Sequence, residues 1–268
     1  MTPRKPGSGQ TQGSSGPART PKIPSTVKEL GTYLRSLNDT NLQLYGGAFT
    51  DMVLGYSTNE RRLQEAVDLL FETTVSNREH VELGAKICAS IAMSPACGSE
   101  EESKSAIRVN FRKGLLGKFQ TEYKKKEEIR ENSIETWLTI FSFLCEVYIR
   151  IKIGDEPIKV IGNAILSTIE YFFNLPDIDD DEVEAVCTYL KLCGKHLDAL
   201  NQPQVEKLIV KLRSMVISKK SSCRTRCLAM EVLEFRCMGW SDPHKRLDDF
   251  YVDALVDALA KDELGDTS

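Results

Sequence analysis

Between Ile107 and Tyr123 an apolar side chain returns every fourth residue: Ile107, Phe111, Leu115, Phe119 and Tyr123, with Leu116 beside them. A 3.6-residue turn gathers such positions on one face, so the spacing predicts an amphipathic helix and disfavours a strand, whose faces alternate with period two. The same period recurs along the chain. Leu63, Val67, Leu70 and Phe71 make one stripe, and Trp137, Ile140, Phe141, Leu144, Val147, Tyr148 and Ile151 make another. Val183, Val186, Leu190 and Leu197 follow, then Val205, Leu208, Ile209 and Leu212, then Leu228, Val232 and Phe235. No comparable run alternates with period two. The expectation is an all-α chain of about ten helices.

Proline and glycine punctuate these stripes. Residues 1–24 hold five of the ten prolines, four glycines, four basic residues and no acidic one. Such a composition cannot bury enough apolar surface to order itself, so a disordered basic tail is expected there. Pro95, Pro157, Pro176, Pro203 and Pro243 fall between apolar stripes. Proline costs about 3 kcal/mol inside a helix and is tolerated at helix starts and in loops, so these positions mark boundaries. Thr26-x-x-Glu29 and Ser76-x-x-Glu79 have capping-box spacing, and Gly154 and Gly239 stand where helices should stop. Short links force consecutive helices into antiparallel pairs. About five such pairs over residues 25–260 would make a HEAT/armadillo-like superhelix, a bundle of the same helices being the alternative, with a short acidic tail at 261–268.

Composition narrows the class further. At 268 residues, 41% hydrophobic and 28% charged, the chain matches an ordinary globular protein. No uninterrupted apolar run reaches the ~18 residues of a membrane span, and no apolar core of a secretory signal follows the first residues. Among the eight cysteines, Cys88, Cys145, Cys187 and Cys193 sit inside helical stripes, where a thiol acts as a small hydrophobe. Reduced thiols in the cytoplasm or nucleus are expected.

Candidate chemistry is sparse. Cys223, Cys227, Cys237 and His244 could nominate zinc. They lie on or beside a helical stripe rather than as tight pairs on turns, and plain thiols are expected. Gly114-Leu-Leu-Gly117-Lys118 lacks the spacing of a phosphate loop and has Phe119 where the hydroxyl belongs. The carboxylates at Asp177, Asp179, Asp180, Asp181, Glu182 and Glu184 read as an acidic helix N-terminus, not as a calcium loop. No nucleophile, base and orienting group can be assembled, so no catalytic residue, metal or cofactor is assigned and no enzyme is expected. Phe111, Leu115, Leu116, Phe119, Trp137 and Phe141 are expected in the core.

Charge singles out one surface. From 104 to 130 there are nine basic residues and three acidic ones, in a chain of net charge −4. Charge alone leaves Lys113, Lys118, Lys124, Lys125, Lys126 and Arg130 either a solvated basic face, the commoner case, or a partner- or RNA-binding surface, and the family resemblance of the same segment implies the second.

Val109-Asn110-Phe111-Arg112-Lys113-x-Leu115-Leu116-x-Lys118-x-Gln120-x-Glu122-Tyr123 resembles the signature helix of the MIF4G domain, the middle domain of the translation initiation factor 4G scaffold. Phe143 to Tyr148, Leu192 to Asp198, and Leu233 to Arg236 with Gly239-Trp240 are similar to later segments of that family, in the same order. Within the family, Phe111-Arg112-x-Gly114-Leu115-Leu116 and Glu234 to Trp240 resemble members acting with the histone stem-loop-binding protein. Leu63, Glu65, Val67, Leu69, Gly84, Ala85 and Cys88 resemble members that bind poly(A)-binding protein. Phe143 to Val147 and Glu156-Pro157 resemble the factor that depends on the nuclear cap-binding complex. Gly114 and Gly117 depart from the Leu-rich centre of the factor 4G helix, and close helix packing is the expected reason.

The resemblance implies a non-enzymatic adaptor in translation initiation. Its implied partners are initiation factors including a DEAD-box helicase, a poly(A)- or stem-loop-binding protein, and mRNA through the basic stripe. It leaves monomer and homodimer both open. Service of general poly(A)-dependent initiation is placed ahead of service of histone mRNA.

Overall fold

The structure is a computed structural model that describes residues 50–51, 53–54, 60–93, 101–218 and 221–242. The tails expected at 1–24 and 261–268, the Thr26–Glu29 capping box, Pro95, Pro243 and His244 lie outside the described residues. Among them run α1 (Glu60–Val75), α2 (Val81–Met93), α3 (Glu101–Lys124), α4 (Lys126–Asn132) and α5 (Ile134–Arg150). After these come α6 (Lys159–Asn174), α7 (Asp180–Ile217) and α8 (Cys223–Cys237). The all-α expectation holds, with one small addition. Lys152–Ile153 (β1) and Glu156–Pro157 (β2) pair as an antiparallel hairpin around Gly154, whose φ of +67° suits glycine. Two-residue strands are too short to give an alternating signal, which is why the sequence reading contains no trace of them.

The helices stack as antiparallel pairs in a HEAT-like arrangement. α1 packs on α2, α3 and α4 lie against α5, α6 packs on α7, and α7 packs on α8. Successive pairs join through α1–α3, α2–α5 and α5–α7 contacts. Four of the roughly five expected pairs fall within the described residues.

α5 is the central element. Ser133 starts it, its hydroxyl accepting the Thr136 N–H, and eleven of its 17 residues are buried. A helix buried nearly all round must lie inside the stack, as its near-continuous apolar sequence requires. Phe71, Phe119 and Phe143 meet at 5.1–5.5 Å between ring centres, tying α1, α3 and α5 together. Edge and tilted arrangements of this kind add about 0.5–1.5 kcal/mol per pair beyond area burial.

The proline boundaries hold where they are described. Pro157 ends the hairpin just before α6, and Pro176 separates α6 from α7. Pro203 follows Asn201, whose φ of −154° and ψ of 75° break α7 into two arms. Asn201 then caps the second arm, its side-chain oxygen accepting the Gln204 N–H at 3.2 Å. The acidic run is a helix start, as expected. Asp179 caps α7 through the Glu182 N–H, and Glu182 returns a bond from the Asp179 N–H.

The amphipathic helix expected between Ile107 and Tyr123 is α3, and Lys125 (φ −100°, ψ 12°) separates it from α4. Three expectations need correction. Ser76 is no cap: its hydroxyl donates to the Thr73 carbonyl, and Asn77 instead accepts the Glu79 N–H. Leu116 is half-buried rather than core, unlike Phe111, Leu115, Phe119, Trp137 and Phe141. Close packing accounts for Gly114, where a Cβ would approach Gln64 to 3.0 Å, but Gly117 has nothing within 4 Å.

Two of the segments that carried the resemblance turn out to be one latch. Trp240 sits over Gly194, where a Cβ would meet its ring at 2.3 Å, and its indole N–H donates to Asp198 at 3.0 Å. Arg236 reaches Asp198 at 3.5 Å and Glu206 at 2.6 Å. Trp240 holds a left-handed φ of 62° to get there, a backbone state that bulky residues adopt only when their surroundings enforce it.

Candidate partner-binding surface

α3 turns Ile107, Phe111, Leu115 and Phe119 inward, so the positions between them face out and carry the lysines. The six expected cations do not share one environment. Lys113, Lys124 and Lys125 are exposed and have no ion-pair partner among the described residues. Lys118 lies 3.7–3.9 Å from Asp68, Glu72 and Glu122, and its ammonium stands 5.6 Å from the centre of the Phe71 ring. It joins α1 to α3. Lys126 is held between Tyr123 and Tyr171 at 5.1 and 5.2 Å from their ring centres, bridging α3, α4 and α6.

Arg130 serves the fold. Its Nε and Nη2 donate to Glu182 at 2.5 and 2.9 Å, and Nη1 lies 3.6 Å from Asp177. Glu182 is fully buried, and its hydrogen bond and charge push the guanidinium above its ordinary pKa. The pair clamps α4 onto the start of α7, a contact 52 residues distant that no local pattern encodes. Three freely presented lysines therefore remain of the six: one midway along α3 and two at the corner where it ends.

Beside them lies a feature the sequence reading missed. α3 and α6 stand apart over α5, leaving an apolar trough of about 440 Å³ that Leu116, Gly117, Tyr123, Val160 and Ala164 help to line. Its only sequence signals were a half-polar leucine position and a glycine without a packing reason.

The cysteines divide as their stripes imply. Cys88, Cys145, Cys187 and Cys193 are buried, and burial pushes the Cys88 and Cys145 thiols above their ordinary range and the Cys187 thiol to about 12, so those three are protonated and inert at neutral pH. Cys223, Cys227 and Cys237 are exposed free thiols on α8. No group of three His, Cys, Asp or Glu side chains among the described residues could hold a metal ion. No described helix is long and apolar enough to cross a membrane.

An all-α stack of helix pairs that presents cations and an apolar trough defines a helical-repeat protein. A family model for the MIF4G domain matches residues 35–237, and the chain belongs to that family. It is 30% identical over 144 residues to MIF4G domain-containing protein A of Danio rerio, covering 53% of this chain and 66% of that protein. It is 28% identical over 144 residues to the Homo sapiens MIF4G domain-containing protein, covering 53% of this chain and 64% of that one. The matched stretch is thus just under two thirds of the length of these relatives. The CBP80/20-dependent translation initiation factor of Xenopus tropicalis is 23% identical over 239 residues, which cover 89% of this chain and 39% of that factor.

Proposed function

We propose that this chain is a non-enzymatic adaptor in mRNA translation initiation, acting in the cytoplasm and also in the nucleus. It joins a protein bound at an mRNA end to initiation factors, a DEAD-box helicase among them. Membership of the MIF4G family and similarity to a translation initiation factor support the translation-related role. The observation that carries the adaptor reading is the trio Lys113, Lys124 and Lys125, exposed and without an ion-pair partner among the described residues, on and just after the family's signature segment of an acidic protein. Charges that the fold does not use are available to steer and orient a partner.

The test is recovery from cell extract. Lys113→Glu, Lys124→Glu and Lys125→Glu together should sharply reduce capture of initiation factors, with stability unchanged within about 0.5 kcal/mol, as for most surface changes. Undiminished capture would refute the surface. A second reading is service of histone mRNA through its stem-loop-binding protein, favoured by the match to the small MIF4G domain-containing proteins. Capture of that protein without initiation factors or poly(A)-binding protein would select it. Direct RNA binding would instead show affinity falling steeply with salt, as phosphate neutralisation demands.

A further inference from the structure

The two walls of the trough have helical periodicity of their own. Lys113, Leu116, Gly117 and Gln120 of α3 follow i, i+3, i+4 and i+7, and across from them Val160, Ala164 and Thr168 of α6 follow i, i+4 and i+8. Two parallel rows over an apolar floor form the kind of groove that accepts an amphipathic helix.

Three observations indicate that this space is left for something outside the fold. Val160, on the α6 wall, is 67% exposed, far more than an isoleucine or valine of the surrounding core. Gly117 stands in mid-helix, where glycine is unfavourable, yet a Cβ there would meet nothing within 4 Å. The missing side chain lets an approaching backbone come close to α3. On the floor, Trp137 is 1% exposed and its indole N–H has no acceptor among the described residues. A buried donor without a partner is uncommon in a folded protein.

Charge selects the occupant. Among the described residues, Lys113 is the one charged side chain lining the trough, and no carboxylate lines it. Lys126 lies over the Tyr123 ring in the wall, and Lys124 and Lys125 stand exposed at the same end of α3. The floor rings of Trp137 and Phe141 are each 1% exposed, so they offer no open faces for stacking bases, and a nucleic acid fits poorly.

We propose that the α3–α6 trough is a docking groove for an acidic amphipathic helix of a partner protein. Aliphatic anchors of that helix lie between Leu116 and Val160, and its carboxylates meet Lys113, Lys124 and Lys125. The proposal rests on the adaptor reading and gives its partner a chemistry. Its test uses purified protein and peptide alone, so it can fail independently of which factors extract capture recovers.

The full chain is titrated with a synthetic amidated peptide of about 16 residues, long enough to hold a helix, with Leu at i, i+3, i+4 and i+7 and Glu elsewhere. A second peptide replaces every Glu by Lys, and an oligouridine of about 12 nucleotides is the nucleic-acid probe. The Glu peptide should bind and shift the Trp137 indole N–H resonance while leaving that of Trp240 in place. Val160→Asp, at an exposed position that leaves melting unchanged, should weaken binding at least about tenfold, as loss of a central anchor does. The Lys peptide should bind at least about tenfold more weakly through charge repulsion.

Failure of both peptides to bind, equal binding of the two, or binding that survives Val160→Asp would overturn the proposal. A Trp137 shift caused by oligouridine would assign the trough to nucleic acid. Binding that requires Leu255→Asp and Val256→Asp in the chain would assign it to the chain's own acidic stretch between Asp248 and Leu259.

Discussion

Removing the Arg130 guanidinium should damage the fold, although the residue lies in the most cationic stretch of the chain. Its bonds at 2.5 and 2.9 Å are the charged partners of a carboxylate with no exposed surface, and Arg130 itself is 13% exposed. Arg130→Met would leave Glu182 buried and charged, with the Asp179 N–H at 3.2 Å as its remaining hydrogen bond. Breaking a buried pair from one side costs about 3–5 kcal/mol. The lower end applies here, about 3 kcal/mol, because that N–H persists and partial exposure of the site lets water approach. For a domain of this size the loss corresponds to a melting temperature lower by about 6–12 °C.

Glu182→Met should cost less, about 1–2 kcal/mol, since Arg130 keeps some solvent and Asp177 at 3.6 Å. Arg130→Met with Glu182→Met should fall within about 1 kcal/mol of the unaltered protein, the loss of one arm of the capping box. Urea unfolding of all four proteins with equal m-values gives the coupling, expected at about 2 kcal/mol or more. A loss below about 0.5 kcal/mol for Arg130→Met would mean that Arg130 is an ordinary solvated cation, and the reasoning would be wrong.

The two mid-fold glycines should respond in opposite directions. Gly117→Ala, with open space around the added carbon, should stabilise by about 0.5–1 kcal/mol in urea unfolding. Gly194→Ala, which sets a carbon 2.3 Å from the Trp240 ring, should destabilise by about 1–3 kcal/mol. Phe111→Ala, at a position with no exposed surface, should cost about 3–5 kcal/mol by the same measurement. Hydrogen bonds from Thr225 and Ser222 hold the Asp180 carboxyl below the usual carboxylate range and join the starts of α7 and α8. Because that folded pKa is depressed, the stabilisation is complete above the unfolded value of about 3.9 and is lost as pH falls below it. Acid melting curves of Asp180→Asn should show a smaller decline over that window, and identical curves would contradict the assignment.

The latch at Trp240 bears on how family resemblance is to be understood. Gly194, Asp198, Arg236 and Trp240 come from segments similar to the family's motifs, and here they hold α8 on α7. Those motifs mark how the scaffold closes.

What the sequence determined by itself was the helical architecture and its punctuation. Apolar period, proline placement and the acidic start of α7 are local properties, written within a turn or two of the residues they govern. The inward row of α3 followed from spacing alone, and so did the burial of Cys88, Cys145, Cys187 and Cys193. The fate of the cations was not legible, because charge along a chain does not say which carboxylate will arrive from another helix. Asp68 and Glu72 engage Lys118 only when α1 packs on α3, and Glu182 engages Arg130 only when α7 reaches α4. The trough is a property of spacing between α3 and α6, and neither helix encodes a gap. Only tertiary packing could separate the lysines that hold the fold from those it leaves exposed, because both kinds carry the same side chain and differ in what lies across from them.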